Sequence, residues 1–90
     1  MKLLDIVRNL EEIDSEQTIY ARHPWSPASD AQLAVEGSDQ EKKLRAEGLI
    51  YFLEGFIAQE FIEDWSTTLK QSPSAEQSCA RLIYYATNDA

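Results

Sequence analysis

The residues of this chain that could do chemistry are few and widely separated. His23 is the only histidine, and it stands in a loop that two prolines, Pro24 and Pro27, exclude from a helix interior or a central strand. Nucleophilic catalysis at His23 would need a serine or cysteine beside it and an acid to orient it. Cys79 is the only cysteine, and its spacing places it on the apolar side of a helix, where a thiol is inert. The sequence therefore favours a protein that is not an enzyme, with no catalytic residue and no cofactor.

Three carboxylates draw attention because the sequence places no base near them. Glu60, Glu63 and Asp64 have the i, i+3, i+4 spacing that brings side chains together on one face of a helix. Like charges repel at this spacing, and the helix dipole disfavours anions in the later half of a helix. No Lys or Arg occurs between Leu49 and Leu69. The face is then a solvated surface, a docking site for a basic partner, or a cation site of Glu60 and Asp64 that needs further ligands such as His23.

The composition indicates which partners are compatible with the surface. Sixteen Asp and Glu residues against eight Lys and Arg residues give a formal net charge of −8 and an isoelectric point near 4.4. Nucleic acids and anionic membranes need a Lys/Arg footprint, so neither is expected as a partner, whereas a basic protein is attracted. No apolar run approaches the length of a membrane span, and Asp5 interrupts what would be the apolar core of a secretion signal. We therefore expect a cytoplasmic protein, and from its size a bacterial one.

Ninety residues are expected to form one domain, residues 1–90. The apolar pattern predicts helices and strands in alternation. The helices are expected over about Lys2–Leu10, Gly55–Leu69 and a last segment after Ser74, which forms a capping-box pattern with Gln77. The strands are expected at Thr18–Ala21, Gln32–Val35 and Leu49–Leu53. A Ser-x-x-Glu capping box at Ser38 and a glycine at position 48 frame residues 38–48, which are either a short helix or a mobile loop.

The order α-β-β-(α)-β-α-α indicates an α+β fold, a small antiparallel sheet of about three strands packed by two to four helices. The segment Leu49–Leu53 is apolar on both sides of a strand, which predicts that it is central in its sheet. A sheet this small leaves an edge open, and a homodimer would close it.

Three aromatic residues are candidates for contact with a partner. If a helix begins at Gly55, Phe56 lies exposed among the acids and is a candidate interface anchor. If the preceding strand runs one residue further, Phe56 is its last buried residue, and this second interpretation is favoured. Tyr84 lies opposite the apolar stripe of the last helix and is expected to be partly exposed. Trp25 is expected to fold back from its loop onto the core, and it is the third candidate.

Four segments of the chain resemble a family of small uncharacterised bacterial proteins. They are Thr18-Ile19-Tyr20-Ala21, Pro24-Trp25-Ser26-Pro27 with Ser29-Asp30-Ala31, Tyr51-Phe52-Leu53-Glu54 with Ala58 and Glu60 to Trp65, and Leu82-Ile83-Tyr84-Tyr85-Ala86 with Asn88-Asp89-Ala90. The resemblance covers nearly the whole chain and implies a free-standing bacterial domain, with no established activity and no catalytic residue. It also implies a β-branched residue where this chain has Gly55, so the strand-to-helix junction is expected to be looser here.

Two functions of different classes follow from these observations. The first is a small acidic, non-catalytic module that docks a basic protein, an antitoxin or immunity-type inhibitor being one concrete form. The second is a small metal-dependent enzyme or metal-binding protein that uses His23 with Glu60 and Asp64. An acidic mimic of nucleic acid is less favoured, because the acids are spread over the chain.

Overall fold

The computed structural model describes residues 1–88. Its elements follow the predicted order α-β-β-α-β-α-α, and the predicted α+β class is confirmed. They are α1 (Leu3–Arg8), a short 3-10 turn (Leu10–Glu12), β1 (Thr18–Arg22), β2 (Ala31–Ala34), α2 (Asp39–Ala46), β3 (Leu49–Glu54), α3 (Gly55–Ser66) and α4 (Ala75–Asn88). Asp89 and Ala90, which close the last segment of the family resemblance, lie outside the described residues.

The three strands form an antiparallel sheet in the order β2-β1-β3, so β1 is the central strand. The prediction that Leu49–Leu53 is central is wrong. Ile19 pairs with Leu53 and Tyr20 pairs with Tyr51, which leaves Phe52 as an extra residue in β3, a β-bulge. Phe52 and Leu53 consequently both belong to the main core. The continuous apolar run of β3 therefore reflects this bulge, and Ile50 of the same strand is 42% exposed.

The sheet separates two apolar clusters of unequal size. On the larger side, residues of β1 and β3 pack with the apolar stripes of α1 and α4 and with Ala58 of α3. On the smaller side, Tyr20, Ala34 and Leu49 are covered by Leu44 of α2. Burial on both faces explains why the first four residues of β1 are almost completely inaccessible to solvent.

Residues 38–48, which the sequence left open between helix and loop, contain the helix α2. The side chain of Ser38 accepts a hydrogen bond from the backbone N–H of Glu41, which caps the helix. The Glu41 carboxylate accepts in turn from the backbone N–H of Gly37 and from the guanidinium of Arg45. Leu44 is buried on the sheet. The helix is held by its cap and by this one apolar contact, since the rest of its surface is largely exposed.

Side-chain hydrogen bonds mark the start of α4 and the end of α3. In α4, the backbone N–H of Ser74 donates to Gln77 Oε1 and the backbone N–H of Gln77 donates to Ser74 Oγ, which confirms the predicted capping box. The helix α3 ends at Ser66, before the predicted end at Leu69. The hydroxyls of Ser66, Thr67 and Thr68 donate to backbone carbonyls three residues earlier, and such bonds compete with continuation of the helix.

The junction between β3 and α3 is tight, and the expectation of a looser junction is wrong. The backbone N–H of Gly55 donates to the carbonyl of Gln17 over 2.8 Å. A Cβ at position 55 would lie 2.7 Å from that same carbonyl oxygen and 3.2 Å from the carbonyl oxygen of Asp14. Glycine is required here because a backbone segment occupies the space of a side chain. A β-branched residue does not fit in this arrangement.

Replacing Gly55 by alanine is therefore expected to destabilise the protein by about 1–3 kcal/mol, because an added methyl group must displace backbone. Urea denaturation followed by circular dichroism measures this change. Helix propensity alone would make the alanine variant more stable than the wild type. The control Ala80→Gly, on the exposed side of α4, measures the size of this propensity effect, with an expected loss of about 1 kcal/mol in the free energy of unfolding. A Gly55→Ala protein more stable than the wild type would contradict the close approach.

Glu41 is expected to make folding stability depend on pH. The Gly37 N–H, and after it the Arg45 guanidinium, lower the pKa of the Glu41 carboxyl below its ordinary value. A carboxyl whose pKa is lower in the folded state stabilises the fold above the unfolded-state pKa, and this contribution is lost as the pH falls through the folded-state pKa. Glu41→Gln should therefore be less stable than the wild type at neutral pH, with a difference that shrinks below about pH 4. Urea midpoints over this pH range provide the measurement, and a constant difference would refute the prediction.

Candidate partner-binding surface

The helix α3 has one side in the core and one side in solvent. Ala58 is fully buried, and Ile57, Phe61 and Ile62 pack against the main core. The other side carries Glu60, Glu63 and Asp64, and all three are exposed. We call these three residues the acidic face.

No cation of the described chain relieves the acidic face. Within residues 1–88, no Lys or Arg nitrogen lies within 4.0 Å of its carboxylates. The ion pairs found there lie on other elements: Lys2–Asp30, Arg22–Asp30, Arg8–Asp5 and Arg45–Glu41. The last turn of α3 contains no basic residue either. The repulsion and the unfavourable dipole interaction inferred from the sequence are thus present in the folded chain without local compensation.

A cleft of about 740 Å³ lies beside the acidic face, between the end of α1, the 3-10 turn, α3 and α4. Glu63 lines it together with Glu11 and Glu12. The Gln59 side-chain amide holds α3 against the turn by donating to the carbonyls of Leu10 over 2.9 Å and Ile13 over 3.1 Å. Glu11 and Glu12 were missed as part of this surface. The sequence shows that these two acids are adjacent. It does not show that they lie beside α3, because the Gln59 contacts with the 3-10 turn fix that position.

Phe56 is 45% exposed, so the favoured interpretation of it as the last buried residue of a strand is wrong. The strand β3 ends at Glu54, and the contact between Gly55 and Gln17 starts the helix at once. Phe56 therefore occupies the second position of α3. Its spacing to Glu60 and Glu63, i+4 and i+7, puts the three side chains along one stripe of the helix.

The other two aromatic candidates differ in their surroundings. Tyr84 is 57% exposed, as expected, and the guanidinium carbon of Arg81 lies 5.4 Å from its ring centre and 5.8 Å from that of Phe61. Trp25 is half-buried. Its indole N–H donates to the carbonyl of Ala21, and its ring meets Phe52 edge to face at 4.9 Å. The polar atom and much of the ring of Trp25 are thus already engaged within the fold, whereas Tyr84 is accessible.

The structure does not bring His23 together with the acidic face. His23 follows β1 at the end where Arg22 pairs with Leu49, whereas α3 leaves the sheet at the other end, where Thr18 pairs with Glu54. The His23 ring instead meets Trp25, with 5.2 Å between ring centres. Among residues 1–88, no three His, Cys, Asp or Glu residues converge as ligands for a metal ion. No observation in the described chain therefore favours a metal site of His23, Glu60 and Asp64.

Comparison with known proteins assigns no relative: no protein-family model matches this chain, and no curated protein and no solved structure matches it. The family resemblance of the four segments therefore stays a resemblance. No helix within the described residues is both long enough and apolar enough to cross a lipid bilayer.

Cys79 is expected to resist thiol reagents in the folded protein. The residue is fully buried, and burial raises the pKa of its thiol to about 11 from an ordinary value of 9.0. The thiolate fraction at neutral pH is then roughly 100-fold smaller than in the unfolded chain. Reaction with an aromatic disulfide should be at least that much slower in native buffer than in urea, as followed by absorbance. Equal rates in the two solvents would contradict the burial of Cys79.

Proposed function

We propose that this protein is a small acidic, non-catalytic binding module that docks a basic protein through the acidic face. One observation carries the proposal: three exposed carboxylates share one side of a helix that has no base, and no cation of residues 1–88 lies within 4.0 Å of them.

The proposal gives a physical reason for an arrangement that is unfavourable in the isolated chain. Glu60, Glu63 and Asp64 repel one another and oppose the dipole of α3. Lys or Arg side chains of a partner would remove both terms when they bind. The net charge of −8 supports the same partner class, since it accelerates the approach of a basic protein at low salt.

The cleft beside the acidic face provides a concave site next to the carboxylates. Glu11, Glu12 and Glu63 are among its lining residues, and its volume of about 740 Å³ is large enough for a side chain. Arg8 also lines it, but the Arg8 guanidinium pairs with Asp5 at 3.9 Å. A lysine or arginine of the partner would therefore find carboxylates on two elements of the fold.

An antitoxin or immunity-type inhibitor acting in the bacterial cytoplasm is one concrete form of this proposal. Such proteins are short and acidic, and they work by covering a basic surface of another protein.

A homodimer is a separate proposal, which would use the free edge of β3 and not the acidic face. Within residues 1–88 no backbone group pairs with that edge, and Ile50 is exposed on the same strand.

Charge reversal of the acidic face, Glu60→Lys with Glu63→Lys and Asp64→Lys, is expected to abolish binding of the basic partner. The matched control reverses Asp39, Glu47 and Glu76, three exposed acids outside α3, and changes the net charge equally. Affinity capture from the native lysate at low salt, with identification by mass spectrometry, should recover a basic protein when the wild type or the control is the bait. The charge-reversed acidic face should not recover it. Capture should weaken steeply above about 0.15 M salt.

Circular dichroism of each variant tests whether the fold is retained, which is expected for the charge-reversed acidic face because the helix dipole favours cations in the later half of α3. Equal recovery of the same protein by the wild type and the charge-reversed acidic face would refute the proposal. Recovery lost to the same extent in the control would show that only net charge matters, and it would refute docking at this face.

A further inference from the structure

A second cleft opens at the end of the sheet where β1 begins and where β2 and β3 end. It has a volume of about 440 Å³. Thr18 is buried at this end of the sheet, where it pairs with Ala34 of β2 on one side and Glu54 of β3 on the other. Val35 follows β2 and Phe56 begins the outer side of α3, and both line the cleft. The three strand ends thus create a depression with an apolar side chain on two of its walls.

The two apolar residues of the cleft are unusually accessible. Phe56 is 45% exposed and Val35 is 51% exposed. Neither belongs to the two apolar clusters of the core. They contribute little to the packing of the chain itself, so their apolar surface is available to another molecule.

All the charged residues that line the cleft are acidic. Glu16, Glu36 and Glu54 line it together with Phe56 and Val35. Within the described residues, no Lys or Arg nitrogen lies within 4.0 Å of these three carboxylates. Among residues 1–88, the one hydrogen bond that the Glu36 carboxylate accepts is a long bond of 3.5 Å from the Thr18 hydroxyl. An apolar group with positive charge on both sides is complementary to such a cleft, and an anionic ligand is not.

We infer that this cleft, which we call the Phe56 cleft, binds an extended segment of a basic protein in which one large apolar side chain is flanked by Lys or Arg. The apolar side chain packs on Phe56 and Val35, and the flanking cations face Glu16, Glu36 and Glu54. The inference rests on the proposed function only for the basic nature of the partner. It adds a site for the apolar contact and a sequence pattern that the partner must have.

The Phe56 cleft and the acidic face can be reached by one segment. Phe56 and Glu63 are seven positions apart on α3, a rise of about 10 Å at 1.5 Å per residue. An extended chain covers that length in about three residues. A second copy of this protein is a poor occupant, because it would bring its own carboxylates against those of the cleft.

The test uses three synthetic peptides of one length, KKFKK, KKSKK and EEFEE, with the full-length protein. Titrations at low salt followed by amide NMR measure the affinity and locate the contact. KKFKK is expected to shift the signals of Phe56 and Val35, and to bind about tenfold more tightly than KKSKK, because its ring is largely removed from water in the cleft. EEFEE should not bind.

Variants of the cleft separate this inference from a general attraction between opposite charges. Phe56→Ser and Val35→Ser should each reduce the affinity for KKFKK towards that for KKSKK. Ile50→Ser, which removes an exposed apolar side chain of β3 outside the cleft, should leave it unchanged. Amide spectra of each variant verify the fold.

Four results would overturn the inference: no binding of KKFKK, equal affinities for KKFKK and KKSKK, an unchanged affinity in Phe56→Ser, or binding of EEFEE as tight as that of KKFKK. If both basic peptides bind equally and charge reversal of the acidic face removes that binding, the proposed function stands and only the Phe56 cleft is refuted. If KKFKK binds at Phe56 while charge reversal leaves capture of the partner unchanged, the cleft stands and docking at the acidic face is refuted.

Discussion

The arrangement of this protein depends on one backbone contact, the hydrogen bond from Gly55 N–H to the carbonyl of Gln17 at 2.8 Å. The chain passes there from the strand β3 to the helix α3 without a connecting residue. No Cβ fits at this position, because the carbonyl oxygen of Gln17 occupies its place. The contact fixes the residue at which α3 begins, and hence which of its side chains face the core.

The start of α3 determines the core and the surface together. With Gly55 as its first residue, Ala58 is fully buried and Gln59 reaches the carbonyls of Leu10 and Ile13. The same rotation leaves Phe56 and the acidic face in solvent. A shift of one residue would turn every side chain by about 100° and bring carboxylates towards the core, where an unpaired charge is costly. The unusual surface is therefore a direct consequence of the packing beneath it.

The distribution of charge separates the molecule into a compensated part and an uncompensated part. Lys2, Arg8, Arg22 and Arg45 pair with acids around α1, the end of β1 and α2. The acidic face and the rim of the Phe56 cleft have no such partners within residues 1–88. His23 and Cys79, the two candidates for chemistry, do not belong to this uncompensated part. His23 stands on an exposed loop, and Cys79 is buried with a raised pKa. The acidic surface without local compensation is the main chemical feature of the described residues.

The sequence by itself determined the features that depend on neighbours along the chain. The apolar stripe of α3, the N-cap at Ser38, the capping box at Ser74 and the burial of Cys79 follow from helical spacing and from side chains within one turn. Only the tertiary structure decided that β1 is central, that Phe56 is exposed, and that Glu11 and Glu12 join Glu63 at one cleft. These features depend on a β-bulge and on close approaches between segments distant in sequence. Hydrophobic periodicity carries no information about such contacts, because it records which side of an element is apolar and not what packs against it.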